Sequence, residues 1–167
     1  LGSVGTWVAQ CMIMDGVKNL TIVDKDKVEL SNLHRQTGFT LQSINKSKVE
    51  CLAQHLHEIK EDVNIHCIED NLDKDFFNRN EFSGLDLIIN CADHPSVDDT
   101  SKIIGEYAMR KGIKHIIGGG YNLHQSLIGQ VVIPGETACL ECFRMNLDEL
   151  NEIDTSNITK LNKEDRK

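Results

Sequence analysis

The sequence predicts an α/β fold, a Rossmann-like and mainly parallel sheet flanked by helices. Short apolar segments alternate along the 167 residues with longer segments of helical periodicity, an order that is typical of βαβ units. Residues 85–91 are nearly all apolar, as expected for a parallel strand that is covered on both faces. A glycine turn opens the first helix, as it does in nucleotide-binding folds of this class.

The first helix is predicted from apolar residues that recur at helical spacing. Val4, Val8, Cys11 and Met12 recur in this way, and Gly16 suits the C-terminal cap.

Two further helices are predicted at residues 43–59 and 97–111, the second of which carries Val97, Ile104 and Ala108. Apolar or alternating segments between the helices indicate strands at residues 20–23, 63–68, 85–91, 114–117 and 127–133.

The length favours one domain. Residues 1–146 are interpreted as that domain, and residues 147–167, which are polar and charged, as a flexible loop or tail. The chain starts inside the glycine motif and without Met, which indicates that the fold is truncated at its N-terminus and lacks its first strand.

Composition excludes several classes of partner. The formal net charge of −8 provides no basic surface for nucleic acid or an anionic membrane, so neither is expected. No apolar run approaches the roughly 20 residues that cross a bilayer. Thiols in apolar segments are expected to be buried and reduced, which fits the cytoplasm. Four of the six cysteines belong to this group: Cys11, Cys51, Cys67 and Cys91.

Gly2 and Gly5 are spaced as the last two glycines of a Gly-x-Gly-x-x-Gly turn. Such a turn lets phosphates approach the free amides of a helix N-terminus. Asp24 follows at the end of a predicted strand, where a carboxylate can bind ribose hydroxyls. These features indicate a nucleotide without separating ATP from NAD, and a structural turn is the alternative.

The polar segment from Asp24 to Gln36 is more specific. It reads Asp-Lys-Asp-Lys-Val-Glu-Leu-Ser-Asn-Leu-His-Arg-Gln. This resembles the Asp-x-Asp…Ser-Asn-Leu-x-Arg-Gln signature of the ubiquitin-activating-enzyme superfamily, the ThiF/MoeB/HesA family, and the likeness continues to about residue 145. The resemblance implies an ATP site in which Asp24 binds ribose and Asn32 and Arg35 contact phosphates, with Asp26 and Gln36 beside them. A solvated polar loop is the alternative.

Lys48 is out of place on its predicted helix. It shares a stripe with the apolar Ile44, Leu52 and Leu56, where an ammonium must either snorkel to solvent or meet an anion. Lys46 points elsewhere on the same helix. The family resemblance implies that Lys48 is an ATP-phosphate ligand, and a snorkelling boundary lysine is the alternative.

Asp93 follows the apolar strand of residues 85–91, and ligands of open parallel sheets bind beyond such carboxyl ends. The resemblance implies that Asp93 holds magnesium and orients the nucleotide and the acyl group. A carboxylate suits this hard cation. A helix N-cap is the alternative, and both roles can coexist.

Two segments are similar to one branch of the family, the MccB type, which adenylates a short microcin peptide. One is Ala92-Asp93-His94-Pro95, where His94 departs from the Asp-Asn pair common in the sulfur-carrier branch. The other is the stretch from Gly119 to Tyr121.

Cys139 and Cys142 form a Cys-x-x-Cys pair after a Pro-Gly turn. The pair resembles the first half of the family's zinc site, whose second pair lies further along in relatives. Structural zinc takes about four ligands, so two thiols make only a half-site. A redox motif is the alternative, but its thioredoxin-like context is missing.

The resemblance therefore implies a cytoplasmic, homodimeric adenylyltransferase that uses ATP with magnesium. Its substrate would be the C-terminal carboxylate of a ubiquitin-like or sulfur-carrier protein, or of a short precursor peptide, and pyrophosphate would be released. Two alternatives stay open at this point. They are an NAD-dependent Rossmann oxidoreductase and a non-catalytic partner subunit that binds a modifier protein.

Overall fold

A computed structural model describes residues 1–118, 121–122, 125–126, 129–143 and 145 of the chain. Its helices are α1 (Ser3–Met14), α2 (Lys48–Ile59), α3 (Phe76–Arg79) and α4 (Val97–Lys111). Its strands are β1 (Asn19–Val23), β2 (Asn64–Ile68), β3 (Leu87–Ile89), β4 (Lys114–Ile116), β5 (Tyr121–Asn122), β6 (Gln125–Ser126) and β7 (Val131–Val132). Short 3₁₀ turns occupy Leu30–Asn32 and Leu41–Ser43.

The longer strands pair in parallel, which confirms the predicted α/β class. β1 lies parallel to β2, and β3 lies parallel to β4. β7 pairs antiparallel with the other edge of β4, and β5 and β6 form a small antiparallel pair that the sequence did not predict. The carboxyl ends of β1, β2 and β3 border one cleft. None of the helices in the described ranges is long and apolar enough to cross a membrane.

α4 occupies the predicted residues because its ends carry clear signals. The Ser96 hydroxyl accepts a hydrogen bond from the Asp99 amide at 3.0 Å, which caps the N-terminus. Gly112 ends the helix in the left-handed conformation, with φ of 69°. Since Ser96 is the cap, the alternative that Asp93 caps this helix is wrong.

The apolar residues that indicate α1 in the sequence do not form its buried face. Val4 is 64% exposed and Cys11 is also exposed, whereas the buried face is formed by small residues and one isoleucine. The buried residues are Gly5, Thr6, Ala9 and Ile13. A side chain at Gly5 would place its Cβ 3.3 Å from the Cβ of Cys91, so close approach to the end of β3 selects this face. α1 is apolar on several sides, and periodicity alone could not choose between them.

The expected burial of the four cysteines is likewise only partly met. Cys11 is exposed, and Cys51, Cys67 and Cys91 are half-buried. Cys11 lies outside the buried face of α1, whereas Cys51 and Cys67 pack against the margin of the main core.

α2 begins at Lys48, five residues later than predicted. Asn45 has a left-handed backbone with φ of 66°, which a right-handed helix cannot contain. The amide of Asn45 bonds to the carbonyl of Val28, and the carbonyl of Lys46 accepts from the amide of Val28, both at 2.9 Å. This segment therefore pairs with the loop after β1 instead of extending α2.

β3 is shorter and more exposed than predicted. It covers Leu87–Ile89 and not residues 85–91, and Leu87 is 36% exposed. In the described ranges β3 pairs only with β4, so its other edge lacks a neighbouring strand that would bury it. β7 covers only residues 131–132 of the predicted 127–133. Residues 127–128, Gly119, Gly120 and the predicted tail of residues 147–167 lie outside the described ranges.

α3, a single turn that the sequence did not predict, docks on α4 through aromatic rings. Phe77 stacks on Tyr107 with ring centroids 3.8 Å apart and ring planes at 4°. Phe76 and Phe82 complete the cluster. The ring contacts supply apolar burial that so short a helix cannot provide by itself.

The main core lies between α1, α2 and β1, where Leu52 is fully buried with Ala9, Ile13 and Ile22. We expect Leu52→Ala to lower the free energy of unfolding by about 2–5 kcal/mol, because it removes buried methyl groups and leaves a cavity. Chemical denaturation measures this. Ile59 on the same helix is 40% exposed, so Ile59→Ala is the matched control and should cost far less. Equal losses of unfolding free energy in the two variants would contradict the difference in burial between Leu52 and Ile59.

Candidate nucleotide site

A cleft of about 330 Å³ lies at the carboxyl ends of β1, β2 and β3. Of the residues predicted from sequence to bind nucleotide or magnesium, all but Gly5 line it: Gly2, Asp24, Asp26, Asn32, Arg35, Gln36, Lys48 and Asp93. Gly5 lies one turn into α1 and serves close packing against Cys91. A wider depression of about 510 Å³ beside Phe77 and Tyr107 contains no predicted site residue.

The glycine turn brings the start of α1 to the cleft. Gly2 is the N-cap residue and lines the cleft, and no side chain caps the helix there. An uncapped helix N-terminus presents free amides and the positive end of the helix dipole. The arrangement suits an anion, as the sequence predicted.

Asp24 and Asp26 follow β1. The Asp24 carboxylate accepts a hydrogen bond from the Asp26 amide at 2.8 Å and contacts the amino group of Leu1. The Asp26 carboxylate lies 3.1 Å from the ammonium of Lys48 and is 55% exposed. β1 therefore places two carboxylates at the rim of the cleft, one of them tied to a lysine.

A single 3₁₀ turn presents the next polar group. Asn32 is 6% exposed, and its side-chain oxygen accepts from the amide of Glu29 at 2.9 Å, which leaves its NH₂ group for other partners. Arg35 is exposed and donates one bond to the carbonyl of Ser31 at 2.6 Å. Gln36 is buried, and its Oε1 has no hydrogen-bond partner within the described ranges.

Among the residues that the structure describes, Lys48 is the one buried lysine, 7% exposed, whereas Lys46 is exposed. The burial of Lys48 agrees with its predicted apolar surroundings. Its position on the helix differs from the prediction, because Ile44 lies before the start of α2. Lys48 occupies the first position of α2. An ammonium at this end of a helix opposes the helix dipole, so it gains most from an anion nearby. In the described structure that anion is Asp26.

Asp93 follows β3 and is exposed in the cleft beside His94. The described residues give its carboxylate neither a hydrogen bond nor an ion pair. A free carboxylate facing a phosphate-sized cleft fits a hydrated magnesium ion, which keeps several waters and takes one or two protein carboxylates. No cluster of three or more His, Cys, Asp or Glu side chains that could hold a metal occurs within the described ranges.

Sequence reasoning missed the wall of the cleft that follows β2. Asp70, Asn71 and Leu72 line this wall. The Arg79 guanidinium donates to both oxygens of Asp70 at 3.1 and 3.2 Å, and to Asp73 at 2.9 Å. An arginine nine positions after one carboxylate and six after another gives no periodic signal, so only the fold reveals the pairing.

Cys139 and Cys142 lie together, with their sulfur atoms 3.6 Å apart. Hydrogen bonds from the backbone and thiol of Cys142 lower the pKa of Cys139, so its thiolate is favoured. No further His, Cys, Asp or Glu ligand joins the pair among the described residues. The two thiols are close enough to supply two of the four ligands of a metal site, and the described residues supply no third.

We expect the pKa of Asp70 to lie at about 2, because Arg79 and Asn80 hydrogen-bond its ionised form. Since the folded chain binds this proton more weakly than the unfolded chain, the stabilisation is present above about pH 4 and is lost as pH falls towards 2. Arg79→Ala should raise the Asp70 pKa towards its ordinary value, as measured by NMR titration. Arg110→Ala is the control, since Arg110 lies over the ring of Tyr107. An unchanged Asp70 pKa in Arg79→Ala would contradict the assignment.

Comparison with known proteins places the cleft in context. The model of the ThiF family matches residues 1–161. The sulfur carrier protein ThiS adenylyltransferase of Bacillus subtilis is 31% identical over 149 residues, covering 84% of this chain and 41% of that protein. The tRNA threonylcarbamoyladenosine dehydratase 2 of Saccharomyces cerevisiae is 32% identical over 121 residues, covering 71% of this chain and 26% of that protein.

The fold also matches a solved structure. The crystal structure of E. coli MccB with AMPCPP and MccA superimposes with a TM-score of 0.76 at 24% identity, covering 95% of this chain and 46% of that one. At this identity the match establishes the shared fold. This chain spans less than half the length of each of these three proteins.

Proposed function

The chain belongs to the ThiF family, and from that premise we propose that it activates a substrate carboxylate by adenylation with ATP. The acceptor would be the C-terminal carboxylate of a carrier protein or peptide, and pyrophosphate would leave. The observation that carries this proposal is the buried Lys48 at the start of α2, in a cleft that also holds Arg35 and the start of α1.

The charges of the cleft fit a triphosphate. Lys48 is nearly buried, and a buried ammonium is stable only with an anion close by. Arg35 adds a second cation whose planar guanidinium can hold two phosphate oxygens. Gly2 contributes the helix N-terminus. Lys48, Arg35 and the helix end support a ligand with several negative charges, and the carboxylates that line the same cleft favour a ligand that enters with magnesium: Asp24, Asp26, Glu29, Asp70 and Asp93.

The same features argue against NAD. Asp24 at the end of β1 can bind the ribose of either nucleotide. The pyrophosphate of NAD needs little more than the helix N-terminus. An exposed carboxylate at Asp93, in the cleft that Lys48 and Arg35 also line, has no role in hydride transfer but suits magnesium on a triphosphate. The presence of Arg35 and Asp93 also argues against a non-catalytic partner subunit.

In the proposed reaction, a carboxylate oxygen of the substrate attacks the α-phosphorus of ATP. A carbon-bound oxygen forms a bond to phosphorus, the bond from that phosphorus to the bridging oxygen breaks, and its electron pair leaves with pyrophosphate. Attack of one anion on another is slow unless positive charge is fixed nearby, which Lys48 and Arg35 would supply. Asp93 would hold magnesium, which would supply positive charge to neutralise the phosphates.

The relatives suggest three kinds of acceptor: a sulfur carrier protein, MccA, and a tRNA nucleoside. The net charge of −8 disfavours tRNA, because nucleic-acid binding depends on cationic contacts to phosphates. We therefore propose a protein or peptide acceptor. Among these we favour a short peptide, since the Ala92-Asp93-His94-Pro95 loop is similar to that of the MccB branch.

We also propose that the protein acts as a homodimer in the cytoplasm and carries a structural zinc ion. Cys139 and Cys142 would supply two of the thiolates, and the other two ligands would come from outside the described residues. The depressed pKa of Cys139 favours the thiolate that zinc requires.

The protein should bind ATP with magnesium more tightly than NAD, because Lys48 and Arg35 can contact the extra phosphate charge of ATP and Asp93 can hold the magnesium that accompanies it. Isothermal titration calorimetry with ATP·Mg²⁺ and with NAD measures both affinities. ATP without magnesium is the internal comparison. Tighter binding of NAD would overturn the proposed function.

Lys48→Ala should lower ATP–pyrophosphate exchange on the order of 10²–10³-fold, because it removes a fixed charge from the reacting phosphates. Arg35→Ala and Asp93→Ala should cause losses of similar size without unfolding the protein. Lys46→Ala is the matched control, since Lys46 is exposed and lies outside the cleft lining. Equal losses at Lys46 and Lys48 would remove the argument from burial.

ATP turnover should require the correct acceptor. We expect a short precursor peptide from the same genome to stimulate ATP consumption and a carrier protein ending in Gly-Gly to do so weakly or not at all. A coupled pyrophosphate assay compares the two, with the amidated peptide as control because it lacks the carboxylate. Activity with the carrier protein alone would reject the peptide acceptor and leave carboxylate adenylation in place.

A further inference from the structure

Behind the cleft, a buried polar network joins the end of β3 to the first turns of α4. Asn90, Thr100 and Ser101 form it, and they are 5%, 0% and 2% exposed. The Asn90 side-chain NH₂ donates to the Thr100 hydroxyl at 3.1 Å and to the Ser101 hydroxyl at 2.9 Å. None of the three side chains was assigned a role by the nucleotide site.

The network holds Ala92 by both of its backbone groups. The Ala92 amide donates to Oδ1 of Asn90 at 3.0 Å, and the Ala92 carbonyl accepts from the Thr100 hydroxyl at 2.9 Å. Thr100 has two other possible acceptors, the carbonyls of Ser96 and Val97, and the contact with Ala92 is the shortest of the three. The backbone of Ala92 is therefore fixed from two sides by buried side chains.

The orientation of the Asn90 amide follows from its partners. Its Oδ1 must face the Ala92 amide, because a donor cannot pair with a donor, and both hydrogens of its NH₂ group then meet hydroxyls. A Cβ added at Gly118 would lie 3.1 Å from Nδ2 of Asn90 and 2.9 Å from Val97, so the chain packs closely there. This packing leaves Asn90 little room for another rotamer.

Fixing Ala92 also fixes the start of Asp93. The Ala92 carbonyl belongs to the planar peptide that joins it to Asp93, so its direction sets the direction of the next N–Cα bond. The Asp93 carboxylate has no hydrogen bond or ion pair of its own within the described ranges. Its position consequently depends on the backbone that carries it.

We propose that Asn90 and Thr100 are positioning residues that clamp the peptides on both sides of Ala92 and thereby hold the Asp93 carboxylate at the cleft. This proposal rests on the proposed role of Asp93 in adenylation. It gives a functional reason for a buried polar network in a place where apolar packing would otherwise serve.

Thr100 and Ser101 provide a matched pair of variants. Both hydroxyls are buried on α4 and both accept from Asn90, but only Thr100 reaches Ala92. Thr100→Val keeps the shape of the Thr100 side chain and removes its hydroxyl, whereas Thr100→Ser keeps the hydroxyl that contacts the Ala92 carbonyl. Ser101→Ala removes the hydroxyl of Ser101. Thermal unfolding of each variant reports any general loss of stability.

The first readout is the magnesium dependence of ATP–pyrophosphate exchange. Thr100→Val should raise the Mg²⁺ concentration for half-maximal exchange on the order of tenfold, the size expected from one lost hydrogen bond that holds a charged group. Ser101→Ala should stay within about twofold of the wild type, and Thr100→Ser should return towards it. A purely structural role would lower the folded fraction and leave the magnesium dependence unchanged.

The second readout does not depend on activity. Amide hydrogen exchange at Ala92 should accelerate on the order of tenfold in Thr100→Val relative to Ser101→Ala, because Ala92 loses one of the two backbone hydrogen bonds that hold it against opening. Equal exchange rates in the two variants would overturn the clamp whether or not the protein adenylates anything.

Asp93→Asn separates the failure of this proposal from the failure of the proposed function. If Asp93→Asn exchanges pyrophosphate like the wild type, Asp93 has no role in the reaction and the positioning proposal falls with it. If Asp93→Asn is inactive while Thr100→Val and Ser101→Ala share one magnesium dependence, only the positioning proposal is overturned.

Discussion

The architecture of the site depends on the parallel pairing of its strands. Parallel strands end at the same edge of a sheet, so the loop after β1 and the loop after β2 meet there. β3 ends at the same cleft and adds Asp93. A slip of β1 by one residue against β2 would turn the Asp24 side chain towards the opposite face of the sheet, because successive side chains of a strand point to opposite faces. Register, set by buried residues such as Ile22, therefore determines which carboxylates the cleft contains.

Much of the fold could be predicted because local signals and packing agree. α4 has a serine cap, acidic residues in its first turn, basic residues in its last and a glycine after it, so its bounds were predictable. Asp24 and Asp93 could be placed because Asp24 directly follows β1 and Asp93 lies four residues after the end of β3. The polar segment from Asp24 to Gln36 could be recognised because so many specific residues recur at fixed spacing.

The rest could not be predicted because it is decided by contacts between distant residues. α1 has apolar side chains on more than one face, and only the approach of Gly5 to Cys91 selects the buried one. The start of α2 is set by Asn45, whose backbone is left-handed because the segment pairs with Val28. Arg79 meets Asp70 across a turn that has no periodic signature. In each case tertiary packing overrides the local pattern.

The ion pair between Lys48 and Asp26 determines when the Lys48 side chain loses its conformational entropy. A free lysine side chain populates many rotamers, and fixing them costs up to about 2 kcal/mol. Since Asp26 already holds Lys48 in place, the side chain loses most of this entropy during folding, before any ligand binds. An anion that enters beside Lys48 exchanges one carboxylate partner for another acceptor and has little disorder left to remove. The side chain of Asp26 is 55% exposed and so has room to turn to solvent, and under the proposed function Asp26 would be the counter-ion of Lys48 that the ligand replaces.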